Sequence, residues 1–421
     1  SVDARITATI GGAQGRVRMS RLALATASGV NLRASGAADI TYGGARSGWR
    51  IAGAAEMAGG GLPEARVRVM QDAAGSPLIG QAIIKPYAVG TSQLVLAPVA
   101  FTARNDGATQ VTTRIDVSGP LGDGRVESLR LPIVATWDGG SRLTVNATCA
   151  PLGFARLRLS GIDLRRSSMT LCPRDGGLAR LERGALRGGG GIGPIRLAGT
   201  LGASPLELVM RQAQWSLEDR RFVLAGLGVR VGTAERITRL DVARLAGAFA
   251  ANRPQGSFDG AAGQIGSVPL LLSAANGNWR FAEGKLSLAG GLAVADSAAS
   301  PRFHPMAVRG AAVTLADNHI VATGTLFEPK QGVKVADVAI AHDLGTGTGR
   351  ADLIVPGITF DEHFQPDHLT PLTFGVIANV VGATSGEGHI RWTPQAVTSD
   401  GVFRTGGINL AAAFGPASGI A

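Results

Sequence analysis

The residues best suited to chemistry are a small group of acidic residues and histidines between positions 361 and 368. Residues 361–363 read Asp-Glu-His, and Asp367 and His368 follow after a short gap. Carboxylates beside imidazoles can hold a metal ion or transfer protons. The pattern is not HExxH, and Pro366 would break any helix between the two histidines. We therefore expect a polar loop here, which precedes a helix, and no metal site.

A glycine run at residues 188–193 formally matches the GxGxxG pattern of dinucleotide-binding loops. Such a loop needs a helix directly after it, because the pyrophosphate binds at the helix N-terminus. Residues 194–199 instead read Pro-Ile-Arg-Leu-Ala-Gly, which is typical of a strand. The sequence contains no GxxxxGK[ST] or GxSxG motif, and no Ser-His-Asp or Cys-His set stands out. We expect no cofactor and no enzymatic activity.

The two cysteines, Cys149 and Cys172, have no CxxC partner and no nearby histidine, so they do not form a zinc site. Between them, the alternating segments 157–159 and 169–171 predict the two strands of a hairpin. A disulfide between adjacent strands is geometrically plausible and would add about 3 kcal/mol of stability in an oxidising compartment. Two buried free thiols are the alternative.

The chain carries a net charge of +10, and only four of its 41 basic residues are lysines. Arginines are densest between positions 156 and 196, where Arg156 and Arg158 alternate with leucines. That strand then has one basic face and one apolar face. A solvated strand surface explains this, whereas a positive rim beside an apolar face would suit an anionic amphiphile. Aromatic residues make up only 5% of the chain, which disfavours nucleic acid as the partner.

These residues must be positioned by strands, because apolar residues alternate with polar or small ones along most of the chain. Turn signals recur every 8–15 residues, and the segments 119–124 and 316–319 predict tight hairpin turns. The spacing predicts about 35 strands. Lys85 and two prolines interrupt the most apolar stretch, residues 78–103, which reads as strands. One short helix is expected over residues 372–381, after Thr370 as N-cap.

The predicted fold is all-β: an elongated, curved antiparallel sheet with few short helices. The 421 residues are enough for about three domains, but recurrent hairpins favour one extended sheet with a seam near residue 265, which separates 1–264 from 265–421. An apolar face that no second layer covers would form a long groove. The residues expected to line this groove are Leu286, Leu288, Leu292, Val294, Val313, Leu315, Val333 and Val335.

Several specific runs occur in order through the C-terminal third of the chain. They include Val268-Pro269-Leu270-Leu271-Leu272-Ser273, Trp279-Arg280-Phe281, Pro301-Arg302-Phe303-His304-Pro305, Val355-Pro356-Gly357-Ile358-Thr359-Phe360 and Gln365-Pro366-Asp367-His368-Leu369-Thr370. Together these runs resemble the YdbH family of AsmA-like proteins. The resemblance is strong over residues 110–421 and weaker before them. Residues 265–421 resemble the start of the family's C-terminal region, which carries an old "dicarboxylate transport" label.

The resemblance implies a β-groove protein of the Gram-negative periplasm that carries phospholipids from the inner membrane towards the outer membrane. It implies an inner-membrane anchor at the N-terminus of the full-length protein, and we expect this sequence to be a fragment without that anchor and truncated at its C-terminus. An outer-membrane or periplasmic lipoprotein is a candidate partner. The family offers no catalytic residues to carry over. The alternative function is a structural or adhesive extracytoplasmic β-protein without lipid cargo.

Overall fold

A computed structural model of the chain describes residues 1–43, 47–233, 237–250, 253–266, 268–412 and 415–419. These residues form 31 β-strands that pair almost entirely antiparallel, which confirms the all-β prediction. Within the described ranges, helical structure is limited to two 3₁₀ turns, Pro366–His368 and Pro371–Thr373. No described helix is long and apolar enough to cross a bilayer.

The chain divides into two compact units. Unit 1 comprises Ser1–Gly202 and Gln214–Asp219, and unit 2 comprises Ala203–Ala213 and Arg220–Ala421. The long strand β19 (Ser204–Ser216) contributes residues to each unit. The seam expected near residue 265 stays a prediction.

Unit 1 contains eighteen further strands that follow one another through short turns. They are β1 (Val2–Gly11), β2 (Gln14–Ala25), β3 (Val30–Tyr42), β4 (Gly48–Gly59), β5 (Leu62–Met70), β6 (Leu78–Ile84), β7 (Tyr87–Val89), β8 (Ser92–Leu96), β9 (Val99–Ala103), β10 (Ala108–Leu121), β11 (Gly124–Asp138), β12 (Arg142–Val145), β13 (Ala150–Leu159), β14 (Ile162–Pro173), β15 (Ala179–Glu182), β16 (Ala185–Arg187), β17 (Gly189–Ile192) and β18 (Ile195–Leu201). The stretch 78–103 is thus four short strands, as predicted.

Unit 2 is built from longer strands, most of which pair with their immediate neighbours in the sequence. They are β20 (Arg221–Val231), β21 (Thr238–Ala250), β22 (Arg253–Gln264), β23 (Leu270–Ala282), β24 (Lys285–Asp296), β25 (Met306–Ala316), β26 (His319–Phe327), β27 (Lys334–Asp343), β28 (Thr348–Phe360), β29 (Ile377–Trp392), β30 (Val397–Ala412) and β31 (Gly415–Gly419). Consecutive pairing from β20 to β31 makes unit 2 an antiparallel meander.

Both predicted hairpin turns are present. In the segment 316–319, Ala316 pairs with His319, and Asp317 and Asn318 have φ values of 48° and 63°. Left-handed φ at both central residues is what a two-residue type I′ turn requires, and Asp and Asn tolerate it well. In the segment 119–124, Leu121 pairs with Gly124 across an equally short turn.

The helix expected over residues 372–381 is wrong. Thr370 does act as an N-cap, because its hydroxyl accepts a hydrogen bond from the Leu372 amide at 3.2 Å. The helical conformation ends after the single turn Pro371–Thr373, and β29 begins at Ile377. Gly375 has a φ of 74°, and the β-branched residues that follow it favour strand over helix.

The glycine run at 188–193 lies in strands, as its flanking sequence predicted. Its central residues form β17, β18 follows directly, and no helix opens there. A Cβ on Gly190 would lie 2.4 Å from the Trp215 ring, so these glycines allow β17 to pass close against Trp215. The run therefore serves packing within unit 1.

Much of the strand surface is open to solvent. The chain of 42.9 kDa exposes 24864 Å². A compact monomer of that mass would expose about 15,000 Å², and two separate compact units of half the mass about 18,000 Å². Most apolar strand residues are correspondingly half-buried.

Candidate functional site

Unit 2 presents one continuous apolar face. Residues directly opposite each other in an antiparallel ladder point to the same side of the sheet, so the pairing register assigns each residue to a face. One row of opposed residues crosses ten strands, from β20 to β29. It consists of Phe222, Gly247, Gly256, Trp279, Leu288, Val313, Ala322, Ile340, Ala351 and Ile390.

Two further rows extend this face on either side. The first crosses seven strands and consists of Phe281, Leu286, Leu315, Ile320, His342, Gly349 and Trp392. The second, shorter row consists of Leu292, Val308, Leu326 and Ala336, with Val294 opposite Met306 beside it. We call these three rows together the apolar face. His342 is their only ionisable residue.

The opposite side of the same strands is polar, and we call it the reverse face. Its central row consists of Arg280, Ser287, Thr314, Val321, Ala341, Arg350, Arg391 and Thr398. The two faces alternate residue by residue, as the period of a strand dictates. The sheet of unit 2 therefore has two different sides. The reverse face is polar and hydrated, and the apolar face presents hydrocarbon side chains.

The structure brings together six of the eight predicted groove residues. Leu286 lies opposite Leu315, and Leu288 lies opposite Val313. With Leu292 and Val294, all of them are half-buried members of the apolar face. The remaining two residues lie elsewhere. Val335 is buried in a packed cluster, and Val333, which precedes β27, packs against that cluster.

Aromatic rings on the apolar face were not among the predicted residues. The Phe222 ring lies 5.3 Å from the Phe249 ring and 6.0 Å from the Trp279 ring. Gly247 makes room for them, since a Cβ there would lie 2.6 Å from both the Phe222 and Trp279 rings. The Trp279 indole N–H donates to the Ala246 carbonyl at 3.0 Å, which leaves the ring body for apolar contacts. Alternation alone could not find this group, because its members come from three separate strands.

His342 is the titratable exception on the apolar face. Its ring lies 5.9 Å from the Trp392 ring, and the Trp392 indole N–H donates to His342 Nδ1 at 3.1 Å. Burial lowers the pKa of His342, against the smaller opposing influence of the Thr348 backbone and the Asp343 carboxylate. The neutral imidazole is therefore the form that this face favours.

We expect the stability of unit 2 to fall as the pH is lowered from about 6.5, the usual His pKa, towards the lower pKa of folded His342. The unfolded chain binds the proton first, so acid draws the equilibrium towards unfolding. Urea unfolding midpoints at pH 7.5 and pH 5 should differ less in His342→Phe than in the wild type. An identical pH dependence in both proteins would contradict this role of His342.

One end of the apolar face is covered by residues 361–376, which we call the capping loop. Phe364, only 3% exposed, packs with Phe360 and Val380 in a buried cluster. Residues of the apolar face or its flank, Met306, Leu326, Val338 and Leu353, pack against this cluster. The Gln365 side chain bonds both the amide and the carbonyl of Val380 at 2.8 Å, which ties the loop to β29.

The acidic residues and histidines of the capping loop form a turn. Asp361 Oδ1 accepts from the His363 and Phe364 amides at 2.8 and 3.0 Å, and these bonds lower the pKa of Asp361. Within the residues that the structure describes, no three His, Cys, Asp or Glu side chains come together as metal ligands would. The segment is a polar loop, as predicted, although a strand follows it and not a helix.

Unit 1 repeats the two-sided arrangement. One apolar row consists of Ala4, Leu22, Ala34, Ala55, Val67, Ala82 and Val99, and a second consists of Val2, Leu24, Leu32, Met57, Ala65 and Ile84. On the other side, the row between them carries Arg33 and Arg66 with Asp3 and Glu56, and the row beyond the first carries Arg5, Arg21 and Arg68. Unit 1 therefore also separates an apolar from a basic, hydrophilic surface.

The arginine-rich window contains fewer free charges than its sequence suggested. Arg156 forms a two-pronged pair with Asp163, and Arg158 contacts Glu127 at 2.6 Å. These two arginines and their ion-pair partners, Asp163 and Glu127, lie on the same side of β11, β13 and β14. Leu157 lies on the other side. These two arginines match the interpretation of a solvated, ion-paired strand face.

Cys149 and Cys172 are joined by a disulfide in the structure, with a Cα–Cα distance of 4.0 Å. Cys149 directly precedes β13, and Cys172 lies near the end of β14. The strands themselves form the hairpin that the alternating segments predicted. The cross-link joins the two open ends of that hairpin.

A family model described as YdbH-like, the intermembrane phospholipid transport protein YdbH, matches residues 2–421. The chain therefore belongs to the YdbH-like family. This confirms the resemblance read from the C-terminal runs and extends it to the N-terminal part. Neither the curated proteins nor the solved structures gave a match.

Proposed function

We propose that this member of the YdbH-like family carries phospholipids with their acyl chains laid on the apolar faces of its sheets. The family's function is intermembrane phospholipid transport, which requires a surface that accepts hydrocarbon outside a bilayer. The observation that supports the proposal most directly is the ten-strand row from Phe222 to Ile390, which contains no charged residue. The apolar face would form the floor of a groove.

The energetics suit a carrier. Each methylene removed from water is worth about 0.8 kcal/mol, so an acyl chain in contact with several strands is retained. Successive positions along the face are chemically similar, since Leu288, Val313 and Ile340 repeat the same aliphatic surface across the strands. A lipid can then shift from strand to strand with little change in free energy. Glycine and alanine within the rows leave room for the chains.

We place the phospholipid headgroups at the water-exposed margins of the face. The reverse face, with Arg280, Arg350 and Arg391, keeps the sheet hydrated while cargo is bound. Following the family, we propose a periplasmic location between the inner and outer membranes of a Gram-negative cell, with an inner-membrane anchor and a lipoprotein partner in the full-length protein. Catalysis has no part in this proposal.

The alternative is a structural or adhesive extracytoplasmic β-protein without cargo. It would require the apolar face to be filled by protein. Apart from the small residues Gly247 and Ala351 and the end under the capping loop, the described residues of the face are half-buried and accessible. This accessibility favours the carrier.

The test is mass spectrometry of organic extracts from the chain purified without detergent. We expect at least about one phospholipid molecule per protein molecule, because the acyl chains of one lipid occupy only part of the apolar face. A matched preparation of an unrelated secreted β-protein controls for lipid carried through purification. Protein that repeatedly purifies folded and free of phospholipid would refute the proposal.

A further inference from the structure

The capping loop ends in an exposed apolar tip formed by Leu372, Phe374 and Val376. These side chains are 66%, 79% and 51% exposed, and Phe374 is the most exposed large apolar residue of the described chain. They belong neither to the apolar face nor to the buried cluster beneath the loop. Three large apolar side chains are thus exposed within five residues of one loop, unlike the single apolar residues scattered over most protein surfaces.

The backbone of the tip is hydrogen-bonded within itself. The Leu372 amide donates to Thr370 Oγ1 at 3.2 Å, the Phe374 amide to the Pro371 carbonyl at 3.2 Å, and the Val376 amide to the Thr373 carbonyl at 3.1 Å. All three residues that expose apolar side chains thus have bonded amides. Backbone groups can approach hydrocarbon only when they are satisfied internally. A partner that adds a strand would need these amides free.

The base of the tip is fixed to the sheet. The Thr370 hydroxyl donates to the Arg302 carbonyl, and the His304 amide donates to the Leu369 carbonyl at 2.9 Å. Below them, Phe364 and Gln365 fasten the capping loop to β29. The tip is therefore held in its exposed position, so little conformational entropy is lost when it binds.

The tip and the chain that follows it carry no charged residue. From Leu369 to Gly386 the chain contains no Asp, Glu, Lys, Arg or His. A charged residue in this stretch would oppose transfer into a lipid environment by more than a leucine favours it. Eighteen consecutive uncharged residues around an apolar tip suit a lipid surface better than a polar partner.

We propose that the tip inserts into the boundary between headgroups and acyl chains of a lipid bilayer. It would dock unit 2 on a membrane beside the covered end of the apolar face. This inference concerns membrane contact and does not depend on cargo on the apolar face.

The first experiment measures binding to phosphatidylcholine vesicles by flotation. The double variant Leu372→Ser/Phe374→Ser should bind at least about tenfold more weakly than the wild type, because two large side chains no longer leave water. The control is Val321→Ser/Ile354→Ser, which removes two apolar residues of the reverse face that are also more than half exposed. Equal binding by the wild type and the tip variant, or an equal loss in the control, would overturn the proposal.

The second experiment locates the tip directly. In the Phe374→Trp variant, brominated lipids should quench more tryptophan fluorescence than they do in the wild type. The added quenching should be the same at high and low salt, because insertion is apolar and not electrostatic. No added quenching would refute insertion. A tip variant could instead bind vesicles as well as the wild type and yet lose lipid delivery in cells. That result would overturn the proposal and indicate that the tip binds a protein partner. Tip variants should keep co-purifying phospholipid, so this test and the test of cargo binding can fail separately.

Discussion

Val313→Asp should lower the phospholipid that co-purifies with the chain at least about tenfold, while the protein remains folded. Val313 lies at the centre of the ten-strand row, between Leu288 and Ala322. An ionised carboxylate there would face the acyl chain, and burying a charge without a partner is far more costly than the contact that it replaces. Because Val313 is only half-buried, water can reach the carboxylate once cargo is absent, and folding is preserved.

Val321→Asp is the control, because it introduces the same charge on the adjacent strand but on the reverse face. Val321 is 54% exposed and lies opposite Thr314 and Ala341. We expect unchanged phospholipid content by mass spectrometry and unchanged circular dichroism. If both variants kept their lipid, or lost it equally, the apolar face would not be the binding surface.

Phe364→Ala should lower the free energy of unfolding of unit 2 by about 3–5 kcal/mol, the usual cost of deleting a buried phenyl ring. Phe364 stacks against Phe360, with ring centroids 5.9 Å apart, and fills the centre of the buried cluster. Without it the capping loop loses its main apolar contact with the sheet. Urea unfolding followed by circular dichroism measures the effect.

Phe374→Ala is the matched control for this prediction, because the same side chain is removed from the exposed tip of the same loop. Its unfolding midpoint should stay close to that of the wild type, since a ring already in water loses few contacts on truncation. Equal midpoints for Phe364→Ala and Phe374→Ala would show that the cluster does not hold the capping loop.

The fold class was predictable because strand periodicity is a local property. Alternation along β10 and β24 and turn residues such as Asp317-Asn318 act over a few residues, so the sequence indicated strands, hairpins and antiparallel order. The helix expected after Thr370 failed at the same local level. The N-cap formed, but Gly375 and the β-branched residues beyond it favoured a strand. Pairing of this strand with β30 satisfies the backbone groups that a helix would have satisfied internally.

The candidate site was predictable in part. Pairs such as Leu286 and Leu288 show by their spacing that they share a face. Which strand lies opposite, and in what register, depends on pairings between distant residues that no single segment specifies. Val333 and Val335 alternate in the same way, but they lie at the covered end of the sheet. Whether a half-buried residue is open or covered depends on what packs over it.

The sequence by itself therefore determined the β architecture, the alternation that gives each strand an apolar and a polar side, and the family to which the chain belongs. Tertiary structure alone decided that Phe222, Trp279 and Val313 share one row, that the capping loop covers the end of that face, and that Leu372 and Phe374 remain exposed. The reason is physical. Periodicity reports the two sides of a strand, whereas neighbours and coverage arise from contacts between residues far apart in the chain.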